Sequence, residues 1–212
     1  GEDTVNMSGN LSDYTIINNL DNTLTLLNNT SGTETIIDTT VENIVLNDGS
    51  QIEFDGTAVT ITDAPGNSNT INLDSSVNTT FVVNTGNQND TVNLGGTNNN
   101  TTVNLGSGVN IVNVDDTNTN TIVINGGTAD DTVNLSGNLS DYVMLDNGDN
   151  TLTLTNTISG ATTTVDSSVE SVVLGDGSQI GFDGSTITIT DANNNASNID
   201  LTGYHNAEFV VN

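Results

Sequence analysis

The sequence predicts an all-β fold: a parallel β-roll or β-solenoid section flanked by mixed-β sections that contain hairpins, with no helix of note. Three observations support this prediction: aliphatic runs that alternate with polar residues, a spacing between runs of about ten residues, and a long internal duplication. Alternation with a period of two is the pattern of a strand with one buried face. A step of that length leaves room for one strand and one turn.

The alternation is clearest in the middle of the chain. In Val92-Asn93-Leu94, Val103-Asn104-Leu105 and Val112-Asn113-Val114, one face is aliphatic and the other carries an amide. Each unit is too small to bury its apolar face alone, so we expect the units to stack into a continuous core. Asn and Thr side chains can then form hydrogen-bonded ladders between successive coils.

Two chain reversals are predicted where polar residues separate neighbouring strand-like runs. The run that starts at Tyr14 is followed by the turn residues NNLDN and a second run from Thr23. The later counterpart places Asp-Asn-Gly-Asp-Asn, residues 146–150, between two similar runs. Asn, Asp and Gly favour tight turns, so each pattern predicts an antiparallel hairpin.

The duplication divides the chain. Residues 1–84 recur without gaps as residues 129–212, so that Asp3–Tyr14 matches Asp131–Tyr142 at an offset of 128 residues (131 minus 3). We therefore expect the chain to be a segment of a longer array. The predicted sections are a first mixed-β unit (1–84), a degenerate nonapeptide-like solenoid section (85–128) and a second mixed-β unit (129–212).

The charge of the chain is extreme: it has no Lys or Arg, 27 Asp and Glu, and a formal net charge of −27. No side chain of this composition can displace counterions from phosphates, so we expect no nucleic-acid partner and no binding to an anionic membrane surface. No stretch approaches the ~20 consecutive apolar residues of a spanning helix, so we expect no membrane insertion. Self-repulsion opposes compaction unless cations neutralise it. Because Cys is absent, the stabiliser has to be a metal without thiolate ligands, or the stacking of repeats.

One segment has the spacing of a metal-binding turn. Residues 126–134, GGTADDTVN, fit the nine-residue pattern G-G-x-G-x-D-x-U-x except that Ala129 replaces the third Gly. On these residues the chain resembles the repeats-in-toxin (RTX) family of secreted calcium-binding β-roll proteins. Glycines allow turn carbonyl groups to point inward and Asp131 adds a carboxylate, an oxygen-only ligand set that suits Ca²⁺.

Degraded copies of the motif occur elsewhere. Asp90 keeps the acidic position, Asn110 replaces it with an amide, and Asp3 lies in the tail of a further copy. The alternative is that these side chains only cap turns. The predicted metal-site residues are Asp131, Gly126, Gly127, Ala129, Asp90, Gly86, Asp3, Gly1, Asn110, Gly106 and Gly108, and we expect Asp131 to contribute most.

A second resemblance covers the longer sections. Ser8–Tyr14 with Val41–Ser50, and Ser136–Tyr142 with Val169–Ser178, are similar to segments that follow such nonapeptides in large RTX proteins. The pairs Asp48-Gly49 and Asp176-Gly177 within them are interpreted as hairpin turns in preference to metal sites.

The resemblance implies a calcium-stabilised structural repeat segment of a secreted cell-surface protein: a surface layer, filament or adhesin stalk. Its expected partner is a further repeat or subunit, bound end to end. The alternative is a calcium-dependent module that binds carbohydrate or another surface, with surface glycans as partners; a polysaccharide-acting enzyme or an ice-binding protein is disfavoured. We predict no enzymatic activity, because Cys, Lys and Arg are absent and His205, the only imidazole, is interpreted as a surface residue.

Overall fold

A computed structural model describes most of the chain: residues 1–19, 21–54, 58–75, 79–96, 99–116, 119–183, 186–192, 200–202 and 208–212. These residues form 22 strands, numbered along the chain, and two single-turn 3₁₀ helices. The strands make two sheets of eleven. The all-β prediction is therefore confirmed. Within the described residues, no helix is long and apolar enough to cross a membrane.

Each sheet has a definite spatial order of strands, followed from the same end of the molecule. Sheet 1 consists of β1 (Thr4–Asn6), β5 (Asn43–Val45), β6 (Gln51–Phe54), β7 (Ala58–Thr62), β9 (Thr79–Asn84), β11 (Asn99–Asn104), β13 (Thr121–Asn125), β17 (Thr162–Asp166), β16 (Thr151–Asn156), β15 (Tyr142–Asp146) and β21 (Asp200–Thr202). Sheet 2 consists of β4 (Glu34–Asp38), β3 (Thr23–Asn28), β2 (Tyr14–Asn18), β8 (Thr70–Ser75), β10 (Thr91–Leu94), β12 (Ile111–Val114), β14 (Thr132–Leu135), β18 (Ser171–Val173), β19 (Gln179–Asp183), β20 (Thr186–Thr190) and β22 (Glu208–Val211).

The middle of the molecule is a parallel two-sheet solenoid. From β8 to β14 the chain alternates between the sheets, and every neighbouring pair of these strands within a sheet is parallel. Equivalent residues of successive coils, such as Asp90, Asn110 and Asp131, are 20 or 21 residues apart. One coil therefore takes two of the ten-residue steps seen in the sequence.

Antiparallel sections flank the solenoid. The predicted hairpins are confirmed as the pairs β2–β3 and β15–β16, and each continues into a third antiparallel strand. The turn residues Asn22 and Asn150 have φ angles of 61° and 66°, in the left-handed region that Asn tolerates better than most residues. The polar turn composition thus explains where the chain reverses.

The two copies of the duplication occupy opposite sheets. In copy one, β1, β5, β6 and β7 lie in sheet 1, whereas their equivalents β14, β18, β19 and β20 lie in sheet 2. The register is kept, because Thr4 pairs with Asn43 as Thr132 pairs with Ser171. A rotation of about half a turn around the solenoid axis therefore relates one copy to the next. The accompanying shift of six or seven strand positions, each ~4.8 Å, corresponds to roughly 30 Å along that axis.

The core lies between the sheets. Val92, Val112 and Val133 of sheet 2 and Val103 and Ile122 of sheet 1 are buried, at consecutive levels of the stack. Each is followed by a residue of intermediate exposure on the opposite face of its strand. The alternation in the sequence therefore separates the core from the outer surface, as expected for half-buried strands.

Amide ladders run along the outer face of both sheets. On sheet 2, Asn134 donates to Asn113, Asn113 to Asn93 and Asn93 to Asn72, each through Nδ2 to Oδ1 at 2.7 Å. Sheet 1 repeats the arrangement, since Asn125 donates to Asn104 at 2.8 Å and Asn104 to Asn84 at 2.9 Å. The predicted inter-coil ladders are confirmed for Asn.

Candidate metal centre at the stacked turns

The predicted metal-binding residues of the solenoid section lie in turns that stack directly on one another. A Cβ atom on Gly106 would lie 1.7 Å from the carbonyl oxygen of Gly86, and one on Gly127 would lie 1.7 Å from that of Gly106. Ser107 N–H donates to Gly86 O at 3.1 Å, and Thr128 N–H donates to Gly106 O at 3.3 Å. The turns approach this closely because their facing residues are glycines.

The acidic position of the motif forms a ladder at the starts of the sheet 2 strands. We call Asn69, Asp90, Asn110, Asp131 and Glu170 the strand-start ladder. The backbone N–H of each of the first four donates to the side-chain oxygen of the next, at 2.8, 2.9, 2.9 and 2.6 Å. These side chains therefore cap the first backbone donor of the neighbouring coil, as in the turn-capping alternative.

Asp131 is satisfied by protein donors. Its Oδ1 accepts from the backbone N–H of Asn110 at 2.9 Å and from Asn110 Nδ2 at 3.0 Å, and its Oδ2 accepts from Gly127 N–H at 2.9 Å. Asn110 Nδ2 also donates to Gly108 O at 2.9 Å. A cation at Asp131 would have to compete with these N–H donors, and its role as a calcium ligand stays a prediction.

Asp90 differs from Asp131 in leaving one oxygen without a partner. Its Oδ1 accepts from Asn69 N–H at 2.8 Å, but its Oδ2 is buried and has no hydrogen-bond partner among the described residues. The side chain as a whole is only 1% exposed. A buried carboxylate oxygen without a donor destabilises the folded state, and a compensating positive charge would reduce this penalty.

Asp63, which no sequence motif singles out, is a second carboxylate of the same kind beside Asp90. It follows β7, in the turn one coil before Gly86–Asp90, and is 2% exposed. Its Oδ1 accepts from Ser50 Oγ at 2.9 Å and from Asn69 Nδ2 at 2.6 Å. Its Oδ2 is buried without a partner among the described residues. Asn69 thus contacts both carboxylates, through its amide and its backbone N–H.

The surroundings of Asp90 disfavour its ionised form. Burial is the main cause that raises the pKa of Asp90 to about 6. The hydrogen bond from the Asn69 N–H lowers this pKa, whereas the neighbouring Asp63 raises it through its negative charge and its side chain. Desolvation and a like charge both disfavour the ionised form of a carboxyl group. A cation bound beside the two carboxylates would favour the ionised form of Asp90.

Further oxygen atoms lie beside Gly86, where Asp63 Oδ2 also lies. A Cβ atom on Gly86 would lie 3.7 Å from Asp63 O, 3.9 Å from Ala64 O and 3.9 Å from Asp63 Oδ2. Carboxylate and backbone carbonyl oxygens are the ligands that Ca²⁺ takes. In the part of the chain that the structure describes, no three Asp, Glu or His side chains are grouped to hold a metal. Two carboxylates with backbone oxygens are the donor set that fits a calcium ion at this position.

The remaining predicted residues lie outside this pair. Asp3 is exposed and its N–H donates to Glu42 Oε2 at 2.7 Å, a hydrogen bond that holds the pKa of Glu42 below its ordinary value. Gly1 is exposed. Ala129 is partly buried, whereas Gly126 packs tightly against Ser168. His205 lies outside the described residues.

The Asp48-Gly49 pair is a hairpin turn, as predicted. It joins β5 to β6, Gly49 has a φ of 88°, and Asp48 Oδ1 accepts from Ser50 N–H at 3.0 Å. Asp48 Oδ2 accepts from Leu11 N–H at 2.9 Å, so it also caps a 3₁₀ helix 37 residues away in sequence. Asp176 repeats both roles in copy two.

Another buried carboxylate, Asp116, is fully satisfied. Tyr142 Oη and Ser136 Oγ each donate to one of its oxygens, and Asn156 Nδ2 donates to it at 3.2 Å. Burial and the Asp116 carboxylate raise the pKa of Tyr142, so the hydroxyl stays a donor. Asp116 is buried and yet has a donor for each oxygen, whereas Asp63 and Asp90 each have one buried oxygen without a donor among the described residues.

The Asp116 contact leads to a testable difference between the copies. Tyr142→Phe should lower the free energy of unfolding by about 1–3 kcal/mol, because a buried carboxylate loses a donor. Tyr14 holds the equivalent position in copy one, and no carboxylate among the described residues accepts from its hydroxyl. Tyr14→Phe is therefore the matched control, with a smaller loss. Urea unfolding of both variants measures the difference, and equal losses would contradict this role of Asp116.

Comparison with protein-family models, curated proteins and solved structures finds no match to this chain. The resemblance to RTX proteins remains a hypothesis that depends on the motif residues.

Proposed function

We propose that this chain is a calcium-stabilised structural repeat segment of a secreted cell-surface protein, such as a surface layer, filament or adhesin stalk. The observation that supports this proposal is the buried pair Asp63 and Asp90, each of which has one buried oxygen without a hydrogen-bond partner among the described residues. The Asp63 oxygen lies near Gly86, where the carbonyl oxygens of Asp63 and Ala64 also lie. Bound calcium would supply the positive charge that the pair lacks.

The composition explains why the cation has to come from solution. The chain has 27 acidic residues and no Lys or Arg, so it has no side chain of either type to neutralise a buried carboxylate. Carboxylates without a partner destabilise a fold through desolvation and mutual repulsion. Extracellular calcium modules bind with dissociation constants of about 10⁻⁴ to 10⁻³ M, which suits a site outside the cell.

The architecture supports a structural role. Each sheet of eleven strands spaced ~4.8 Å apart is roughly 50 Å long, and the Asn ladders join four strands of sheet 2 and three strands of sheet 1. The half-turn relation between copies allows further copies to continue the same two sheets. A stack of this kind gains stability from each neighbouring interface, as in other repeat proteins.

Hydrogen exchange tests the proposal. We expect amides of the turns that contain Asp63 and Asp90 to exchange at least about tenfold more slowly in calcium than in chelator, because a ligand of the folded state raises the free energy of opening. Sodium chloride at the same ionic strength is the control for simple screening. Identical exchange in calcium and in chelator would overturn the proposal.

A further inference from the structure

Asp63 lies outside every nonapeptide-like turn of the sequence. It nevertheless shares a hydrogen-bond partner with Asp90, which belongs to one of those turns. It directly follows the strand β7 and belongs to the segment Thr62-Asp63-Ala64-Pro65-Gly66, which has no motif glycine pair. Asp90 comes from the next coil, 27 residues later. Stacking of the two turns brings both side chains to one residue, Asn69, whose backbone N–H donates to Asp90 and whose Nδ2 donates to Asp63.

We propose that Asp63 and Asp90 together hold one calcium ion, which links the turn after β7 to the turn of residues 86–90, one coil further along the stack. This proposal rests on the proposed function and specifies which residues bind the calcium ion. Each residue contributes the oxygen that has no donor, Oδ2. Their Oδ1 atoms remain held by Ser50 and Asn69.

The surroundings favour a cation over a side-chain partner. The charged groups nearby are acidic as well, since Asp48 Oδ2 lies 3.3 Å from Asn69 Nδ2, the amide that contacts Asp63. Both Oδ2 atoms are buried, and neither has a hydrogen-bond donor among the described residues. The carbonyl oxygens of Asp63 and Ala64 lie on the side of Gly86, whose missing Cβ leaves that space open. Hard oxygen atoms of both kinds suit calcium.

Copy two provides a matched control. Asp191 is the counterpart of Asp63 and receives the equivalent hydrogen bond, from Ser178 Oγ at 3.3 Å. It is only partly buried, whereas Asp63 is 2% exposed. Asp191→Asn therefore makes the same chemical change at a carboxylate that is only partly buried.

Calorimetric titration of the chelator-stripped chain with calcium tests the site. Asp63→Asn and Asp90→Asn should each remove one molar equivalent of calcium or weaken it at least about tenfold, since affinity follows the number of charged ligands. Asp191→Asn should leave the titration unchanged. In chelator, Asp63→Asn should melt above the wild type, because an amide at this position can donate to Asp90 instead of repelling it.

The outcomes separate this site from the proposed function. If the wild-type chain binds calcium and Asp63→Asn binds it with the same stoichiometry and affinity, the site is wrong while the calcium-stabilised role stands. A wild-type chain that binds no calcium overturns both. An Asp63→Asn variant that melts below the wild type in chelator and keeps its full calcium-induced rise also overturns the site, because Asp63 is then a structural partner only.

Discussion

Gly106→Ala should lower the free energy of unfolding by about 3 kcal/mol, at the upper end of what overpacking costs. The added Cβ would lie 1.7 Å from the carbonyl oxygen of Gly86, and backbone atoms cannot move aside as a flexible side chain can. That carbonyl also accepts from Ser107 N–H, so moving the turns apart breaks an inter-coil hydrogen bond. Urea unfolding in the presence of calcium measures the loss.

Gly181→Ala is the control for this substitution. The nearest atom to its added Cβ would be Glu170 O at 3.8 Å, an ordinary contact, and copy one has Glu53 at the equivalent position. Because alanine reduces the freedom of the unfolded chain, the control should be neutral or slightly stabilising. Equal losses for the two variants would show that the turns are not packed as closely as the structure has them.

Much of the fold could be predicted because it is encoded locally. The alternation in Val92-Asn93-Leu94 specifies one buried and one outer face, and the turn residues near Asn22 and Asn150 specify reversals. The structure confirms the strands, the hairpins and the amide ladders on this basis. Each of these features depends on a few neighbouring residues or on the stacking of equivalent ones.

The exchange of sheets between the copies could not be predicted. The offset of 128 residues shows that both copies share a local structure, but not how many half-coils separate them. The hairpin strands stay within one sheet, whereas solenoid strands alternate between two, so counting runs does not give the number of crossings. That Thr132 lies in the opposite sheet from Thr4 follows only from the complete order in which the strands pair.

The candidate site was predicted only in part. The nonapeptide pattern identified Asp90, but it ranked Asp131 first, and the pattern cannot tell a free carboxylate from one that Asn110 and Gly127 satisfy. Asp63 belongs to no motif, and stacking across one coil brings it to Asn69, the residue that also donates to Asp90. Its recurrence as Asp191 was the one signal in the sequence that pointed to it.

Calcium should have the largest effect of any single change in conditions, because the chain carries a net charge of −27 with no Lys or Arg. A site that is saturated a hundredfold above its dissociation constant adds about 2.7 kcal/mol to the free energy of unfolding. For a chain of this size, each kcal/mol raises the melting temperature by about 2–4 °C. One site therefore corresponds to a rise of roughly 5–10 °C, and further sites would add to it.

Thermal unfolding followed by circular dichroism in chelator and in calcium at about a hundred times its dissociation constant measures this rise. Sodium chloride at matched ionic strength serves as the control, because screening alone also relieves repulsion between surface carboxylates. We expect the curve in calcium to lie at least about 5 °C above the curve in sodium chloride, as one saturated site requires. Coincident curves in calcium and in sodium chloride would contradict a calcium-dependent fold.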